Sequence, residues 1–351
     1  MFISLYDYEK AAKQKLEPWI YDFIAGGAED EITVQENINA FKKIKFHPKV
    51  LRGDFDGKLD ITLLNHKLSL PILIAPTAFH RLAHPEGEIA TARAAMHEDI
   101  VMIVSMVATT SLREIDAALQ PKQRHFWFQI YLQRDKIFMR DLISMVEETA
   151  CEALVVTVDS PVFGRRERDI RNDFHRLPKG LRCENLINLQ GQCHTLEFHS
   201  TFHWDDIQDL QASTKLPIIL KGIQHPEDAA RCLENQISGL IVSNHGGRQL
   251  DSVAASIDLL PEIAEVIQKK IPIILDGGIR RGSDIAKALA LGADAVGIGR
   301  PILWGLCVAG EKGVRHTINL LRQELIHTLT LNGCRSLSEW SRDWLFSEPN
   351  R

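Results

Sequence analysis

Eight short apolar segments recur along the chain, at residues 71–75, 100–105, 126–131, 153–158, 217–221, 239–243, 271–276 and 293–298. Most are rich in Val and Ile without strict polar alternation, the pattern of strands covered on both faces. Most intervals between them hold one helix-like stretch. In 87–96, Ala90, Ala92, Ala94 and Ala95 allow close packing, and 284–291 is ended by Gly292 as a helix C-terminal glycine. Eight strand–helix units predict a (β/α)8 barrel of the TIM type. A doubly wound parallel sheet is the alternative, and eight similar units without a switch in spacing count against it.

With 351 residues, 45% of them hydrophobic, the chain can fill one large core, and no repeat, low-complexity tract or Ser/Gly linker divides it. One domain over 1–351 is expected, with an N-terminal cap at 1–70, the barrel at 71–300 and C-terminal helices at 301–351. Within the cap, 8–25 reads as an amphipathic helix pair that closes one barrel end. The long polar gap at 164–215, which carries His175, Pro178, Gly180, Gly191 and His194 with Cys183 and Cys193, reads as a lid. A formal net charge of −5 without a basic block argues against nucleic acid. No apolar run approaches the roughly 18 residues of a membrane span, and the start lacks an export signal. Six scattered cysteines without a CxxC pair read as reduced thiols, and no metal is expected. Residues 347–351 do not match the Ser-Lys-Leu type of peroxisomal address, so the cytoplasm is the expected compartment.

Barrel enzymes place their chemistry at the C-terminal ends of the strands, and the residues there are strongly polar. They are Pro76, Thr77 and Ala78, then Ser105, then Gln129 and Tyr131, then Thr157 and Asp159, and then Lys221. Ser243, His245 and Arg248 follow, then Asp276, Gly277, Gly278, Ile279 and Arg280, and last Gly299 and Arg300. His245 and Arg248 emerge together where a buried strand ends. The imidazole could take a proton from a small 2-hydroxy acid while the guanidinium pairs with its carboxylate, and a surface loop with an incidental histidine is the plain alternative. Glycines in the last two loops, the helix starts that follow and the two arginines suggest a phosphate cradle. A GxGxxG in strand–turn–helix context is absent, which disfavours NAD. Lys221, at the end of an apolar run, must face something negative: a reduced flavin, an ion-pair partner, or a substrate carbonyl as a Schiff-base lysine. Asp159 is either the carboxylate that orients His245 or a helix cap.

Seven ordered motifs then carry a resemblance: Gly26-Gly27-Ala28-Glu29-Asp30, Ile74-Ala75-Pro76-Thr77-Ala78, Thr157-Val158-Asp159-Ser160-Pro161, Leu220-Lys221-Gly222, 243–251, 275–280 and Gly299-Arg300-Pro301. Over nearly its whole length the chain resembles the FMN-dependent L-2-hydroxy acid oxidases and dehydrogenases, the glycolate oxidase and lactate oxidase group. The resemblance implies that His245 is the catalytic base supported by Asp159, and that Arg248, Arg166 and Tyr131 surround the substrate carboxylate and carbonyl oxygen. For Arg166, a solvated charge run at 165–168 is the alternative. FMN would touch Pro76, Thr77, Ala78, Ser105, Gln129, Tyr131, Thr157, Lys221 and Ser243, with its phosphate on 276–280, Gly299 and Arg300. A homotetramer is implied as well.

Two departures from the short-chain members bear on the substrate. Phe23 stands where they carry a tyrosine that helps bind the carboxylate, and Val107 where glycolate oxidases have a tryptophan wall. Both open or depolarise the pocket, and the context around Phe23, with Thr77-Ala78-Phe79-His80, is similar to the long-chain 2-hydroxy acid oxidases. The expected reaction converts a medium- or long-chain aliphatic, or aryl, L-2-hydroxy acid to the 2-oxo acid. No haem domain and no apolar insertion in the lid is evident, which favours oxygen as electron acceptor, with hydrogen peroxide formed. The alternatives are a lactate-type dehydrogenase using a quinone or other acceptor, an FMN barrel acting on a phosphorylated substrate, and a catalytically silent flavin-binding sensor or scaffold. The intact set of His245, Asp159 and Arg248 argues against the last.

Overall fold

The computed structural model describes residues 1–119, 126–187, 191–198 and 200–346. The expectation drawn from residues 347–351 lies outside them. Strands β1 (Ile61–Leu63) and β2 (His66–Leu68) form an antiparallel hairpin. The next eight are β3 (Ile72–Ile74), β4 (Met102–Ser105), β5 (Phe126–Ile130), β6 (Leu154–Thr157), β7 (Ile218–Ile223), β8 (Gly239–Val242), β9 (Ile273–Asp276) and β10 (Ala295–Ile298). They are parallel, pair in chain order, and close where β10 meets β3, so the doubly wound alternative falls. The reason the segments do not alternate is visible in the packing. Leu73, Ile103, Trp127, Val155, Ile219, Ile241 and Ile274 form a buried cluster inside the barrel, while their neighbours Ile72, Met102, Phe126, Leu154 and Leu240 are buried in the main core, which includes the surrounding helices.

The cap departs from expectation because it serves both ends of the barrel. Helices α1 (Leu5–Lys15), α2 (Pro18–Ala25) and α3 (Ile32–Lys43) come first. The first begins at Leu5, earlier than the periodicity alone suggests, because Ser4 and Asp7 form a reciprocal capping box. Helix α3 backs the loop after β8: Asn37 and Asn244 exchange side-chain hydrogen bonds of 2.8 Å. The hairpin instead plugs the N-terminal end, where Leu63 and Leu68 join the interior cluster.

The remaining helices are α4 (His80–Ala83), α5 (Gly87–His97), α6 (Leu112–Ala118), α7 (Lys136–Glu147), α8 (Glu167–Arg171), α9 (Trp204–Ser213), α10 (Pro226–Glu234), α11 (Ser256–Ile267), α12 (Gly282–Ala290) and α13 (Arg300–Leu331). Gly292, at φ +114°, follows α12 as expected, and a Cβ there would lie 2.6 Å from that of Ala264. Helix α13 is broken by non-helical backbone at Ala309 and Gly310. The long gap after β6 holds α8, a 3₁₀ turn at Glu184–Leu186, and α9, which is the barrel's own helix between β6 and β7. Its α8 part is tied to the N-terminal helices through Arg168, which pairs with Asp22 and Glu31, and through Asn172, which donates to Asp22 at 2.9 Å.

No described helix is long and apolar enough to cross a membrane. The six cysteines are unpaired, and burial pushes the thiols of Cys151, Cys183 and Cys232 up to about 12. Leu68, fully buried in the plug, gives a test of this architecture. Leu68→Ala is expected to lower unfolding free energy by about 2–5 kcal/mol in denaturant titration while leaving ligand affinity at the opposite barrel end unchanged.

Candidate active site

A cavity of about 660 Å³ opens at the C-terminal ends of the barrel strands, roofed by α2 and the segment around α8. All of the residues expected at the site line it except Asp159 and Ser243, which stand just behind its wall. Asp159 Oδ1 lies 2.9 Å from His245 Nδ1 and also accepts from Ser160 Oγ at 3.2 Å. Ser243 Oγ accepts from Lys221 Nζ at 2.9 Å and from the His245 amide at 3.0 Å. Lys221 Nζ reaches on to Asp276 Oδ2 at 3.3 Å, so one hydrogen-bonded chain runs from the His245 backbone amide to β9.

The local backbone explains how His245 gets there. His245, Gly246 and Gly247 take φ values of +58°, +63° and +72°, a left-handed run that turns the chain sharply over the end of β8. Gly222, at φ +108°, is what makes room for Asp159: a Cβ on it would lie 2.6 Å from the Asp159 Cβ and carboxyl carbon. Burial lowers the His245 pKa, Asp159 pulls the other way, and the cations Lys221 and Arg166 join burial, leaving the net shift downward. For Asp159, burial alone would raise the pKa, but His245 and Lys221 outweigh it and hold the carboxyl below its ordinary value. The imidazole is therefore neutral near pH 7, with its Nδ1–H donated to a carboxylate and Nε2 left as an acceptor.

Positive charge dominates the opposite wall. Arg166, Arg248, Arg280 and Arg300 all line the cavity, and among the described residues none has a carboxylate within 4 Å. Burial depresses all four pKa values, that of Arg300 to about 10, and repulsion from Arg166 and Arg300 adds to the fall at Arg248. Arg248 commits Nη1 to the carbonyls of Phe23 and Gly26 at 2.8 and 2.9 Å. Its Nε and Nη2 are left for a ligand. Tyr131, whose pKa is raised by burial and by Asp159, stays a phenol that can donate beside them.

Two further features fit a large polar cofactor. Ser105 Oγ donates to Gln129 Oε1 at 3.0 Å and Gln129 Nε2 to Thr157 Oγ1 at 2.9 Å, a side-chain ladder across β4, β5 and β6. Asp276 Oδ1 and Arg280 Nε are buried without a partner, an acceptor and a donor that a sugar-alcohol chain and a phosphate of FMN would satisfy. The phosphate cradle is narrower than expected. The amides of Arg280 and Arg281 donate to Asp284 Oδ2, both at 3.0 Å, and that of Gly282 donates to Glu324 Oε2 at 2.8 Å, so the start of α12 is already capped by protein. Arg300 holds the carbonyls of Ile24, Gly26 and Gly246, which leaves only Nη1 for an anion. Gly278 answers to packing as well, since a Cβ there would meet the Asn37 carbonyl at 1.9 Å.

Sequence reasoning missed the aromatic lining. Phe79 stacks on Phe23 with centroids 5.4 Å apart, Phe174 meets Phe23 edge-on at 5.1 Å, and Phe198 meets Tyr131 edge-on at 5.2 Å. Phe163 underlies the Arg166 guanidinium at 4.2 Å. Asp169 was missed too: it lines the cavity close enough to Arg248 and Arg166 to feel both, and burial raises its pKa. Its place one turn after Arg166 in the charge run was the available signal.

Known proteins resemble this chain closely. A family model described as FMN-dependent dehydrogenase matches residues 12–347. An L-lactate oxidase of Nostoc sp. is 43% identical over 98% of both chains. A 2-hydroxyacid oxidase 2 of Rattus norvegicus is 42% identical over 97% of both. A solved structure of mandelate oxidase superposes with a TM-score of 0.90 at 39% identity, covering 99% of each chain.

Two outcomes follow from the geometry. Gly222→Ala is expected to drive Asp159 off His245 and lower kcat by about 10²-fold or more with little change in ligand affinity, measured by steady-state kinetics beside a binding titration. Because the His245 pKa is depressed, kcat/KM should fall on the acid side only below the ordinary imidazole value of 6.5. Asp159→Asn removes a charge that favours imidazolium, so this limb should move to still lower pH.

Proposed function

The chain belongs to the FMN-dependent dehydrogenase family, and from that premise we propose that it oxidises a medium- or long-chain aliphatic, or aryl, L-2-hydroxy acid to the 2-oxo acid with oxygen as acceptor. One observation carries the reading. A neutral imidazole on a buried carboxylate faces guanidiniums that have no carboxylate of their own, within a single cavity. That pairs a proton acceptor with a carboxylate holder in the same cavity, the two groups that oxidation of a 2-hydroxy acid needs.

In this reading, Arg248 and Arg166 bind the substrate carboxylate, and Tyr131 donates to a substrate oxygen. His245 Nε2 takes the proton, and Asp159 stabilises the imidazolium that results while keeping the ring in one orientation. Lys221 sits with Asp276 in a buried ion pair whose cation, at the strand end, favours negative charge gathering in the cavity. The strand-end residues from Pro76 to Ser243 and the loops at 276–280 and 299–300 would hold FMN, which when bound would serve as the two-electron acceptor. The substrate gives up two electrons and two protons, and oxygen that receives both becomes hydrogen peroxide. Acceptance by oxygen is supported by the oxidase names of the similar proteins.

The preference for a larger substrate rests on Phe23 and Val107, which line the cavity with His245. Phe23 offers a ring where a hydroxyl would hold a second carboxylate bond, and it stacks with Phe79 and Phe174 into an apolar surface. Val107 adds a small side chain beside it. The reading also takes the chain to be one domain, acting as a homotetramer in the cytoplasm. The family resemblance supports the assembly, and the six unpaired cysteines support a reducing compartment.

Oxygen uptake and peroxide yield across glycolate, lactate, 2-hydroxyoctanoate and mandelate test the proposal. The highest kcat/KM should fall on 2-hydroxyoctanoate or mandelate, and a maximum on glycolate would overturn the size preference. His245→Gln should keep bound FMN yet turn over more slowly by about 10³-fold or more. Phe23→Tyr should improve kcat/KM for glycolate and lactate by about 2- to 10-fold, the worth of one added hydrogen bond to a carboxylate.

A further inference from the structure

His80 lines no part of the cavity and has no place in the chemistry above, yet it is 1% exposed and every polar atom it has is engaged. Its Nε2 lies 2.7 Å from Thr77 Oγ1, its Nδ1 lies 3.0 Å from Thr91 Oγ1, and its amide donates to Glu88 Oε1 at 3.1 Å. The partners are anchored in turn. Glu88 also accepts from the Thr109 amide at 2.8 Å and from the hydroxyls of Thr109 and Thr110 at 2.9 and 2.8 Å, while Thr109 Oγ1 accepts from the Arg81 amide at 3.1 Å. The turn after β3 is thus fastened to α5 and to the loop after β4.

Two threonine hydroxyls bracket the ring, one at each nitrogen. The Thr91 hydroxyl donates to the Gly87 carbonyl at 3.5 Å, so its oxygen is open to accept from His80 Nδ1–H. Burial disfavours a second proton on the ring. Nε2 and the Thr77 hydroxyl share one hydrogen bond of 2.7 Å, which fixes the rotation of a hydroxyl on a residue that lines the cavity. Of the two residues between Thr77 and His80, Phe79 is also unusual. Phe79 sits at φ +63°, ψ +46°, a conformation costly for a bulky side chain, and only in that turn does its ring stack on Phe23.

We propose that His80 is a positioning residue that fixes the Thr77 hydroxyl for hydrogen bonding to the cofactor and holds Phe79 in its left-handed turn as part of the substrate wall. One buried side chain then couples cofactor affinity to substrate selectivity. The inference rests on the FMN and 2-hydroxy acid reading above, and wild-type protein that binds FMN is the control for it.

The test uses full-length protein stripped of FMN and titrated with FMN by fluorescence quenching, for Thr77→Val, His80→Leu, their double mutant and His80→Gln. Thr77→Val and His80→Leu should each weaken FMN by about 3- to 10-fold, and the double mutant should be no weaker than the worse single. His80→Leu should also lower the ratio of kcat/KM for 2-hydroxyoctanoate over glycolate. His80→Gln, whose amide can accept from Thr77 and donate to Thr91, should restore both properties at least in part. Should His80→Leu fail to fold, Thr77→Val and His80→Gln still decide: unaltered FMN affinity in Thr77→Val overturns the proposal. Multiplying effects in the double mutant overturn it as well, and so does a His80→Leu protein with lowered Tm but FMN affinity and selectivity within about twofold of wild type.

Discussion

Buried positive charge is the constraint on which this structure turns. Four guanidiniums and one ammonium line a single cavity, and among the described residues the only carboxylate within ion-pairing distance of any of them is Asp276, on Lys221. A buried ion left without a counter-charge costs several kcal/mol even after relaxation. The protein partly offsets this with carbonyls: Arg248 and Arg300 both hold the Gly26 carbonyl, and Arg280 lies over the Trp304 ring at 4.9 Å. What is left over is a standing demand for anions. A phosphomonoester and a substrate carboxylate would meet it, and the depressed pKa of His245 belongs to the same field, since Lys221 and Arg166 add to burial in keeping the imidazole neutral.

That charge arrangement depends on how the barrel distributes its residues. The barrel strands are largely buried on both faces, and polar side chains stand at or just beyond most of their ends, so these collect in one ring at the C-terminal rim. Register then makes neighbours of residues far apart in sequence. Ser105 is aligned with Gln129, and Thr157 with Lys221. Glycines matter where backbone meets side chain, as at Gly222 against Asp159, more than as generic loop elements.

Most of this was legible from the residues, for physical reasons. A strand buried on both faces writes itself as a continuous apolar run, and eight such runs leave little choice of fold. Strand ends are local, so their polar residues could be assigned to the site without knowing any loop's path. The hairpin at 61–68 was not legible: each of its strands is three residues long, with a single fully buried position, Leu63 or Leu68. Helix α9 hid in a polar gap because only Ile207 and Leu210 of its ten residues are buried. Phe174, Phe198 and Asp169 reach the cavity from the insertion after β6, whose course is set by distant partners such as Asp22, Glu31 and Gln133. The helix-start amides of the cradle looked free in sequence because their caps, Asp284 and Glu324, act through side chains, one of them on α13.

In the proposed reaction an imidazole held by Asp159 works on a 2-hydroxy acid whose electrons pass to FMN in the same cavity. Anaerobic stopped-flow mixing of the FMN-loaded protein with each enantiomer of 2-hydroxyoctanoate tests it most directly. Rapid loss of the flavin absorbance near 450 nm, on the order of that seen in turnover and with the S enantiomer only, is the expected result. Flavin that stays oxidised with the S enantiomer, while remaining bound, would contradict the claim.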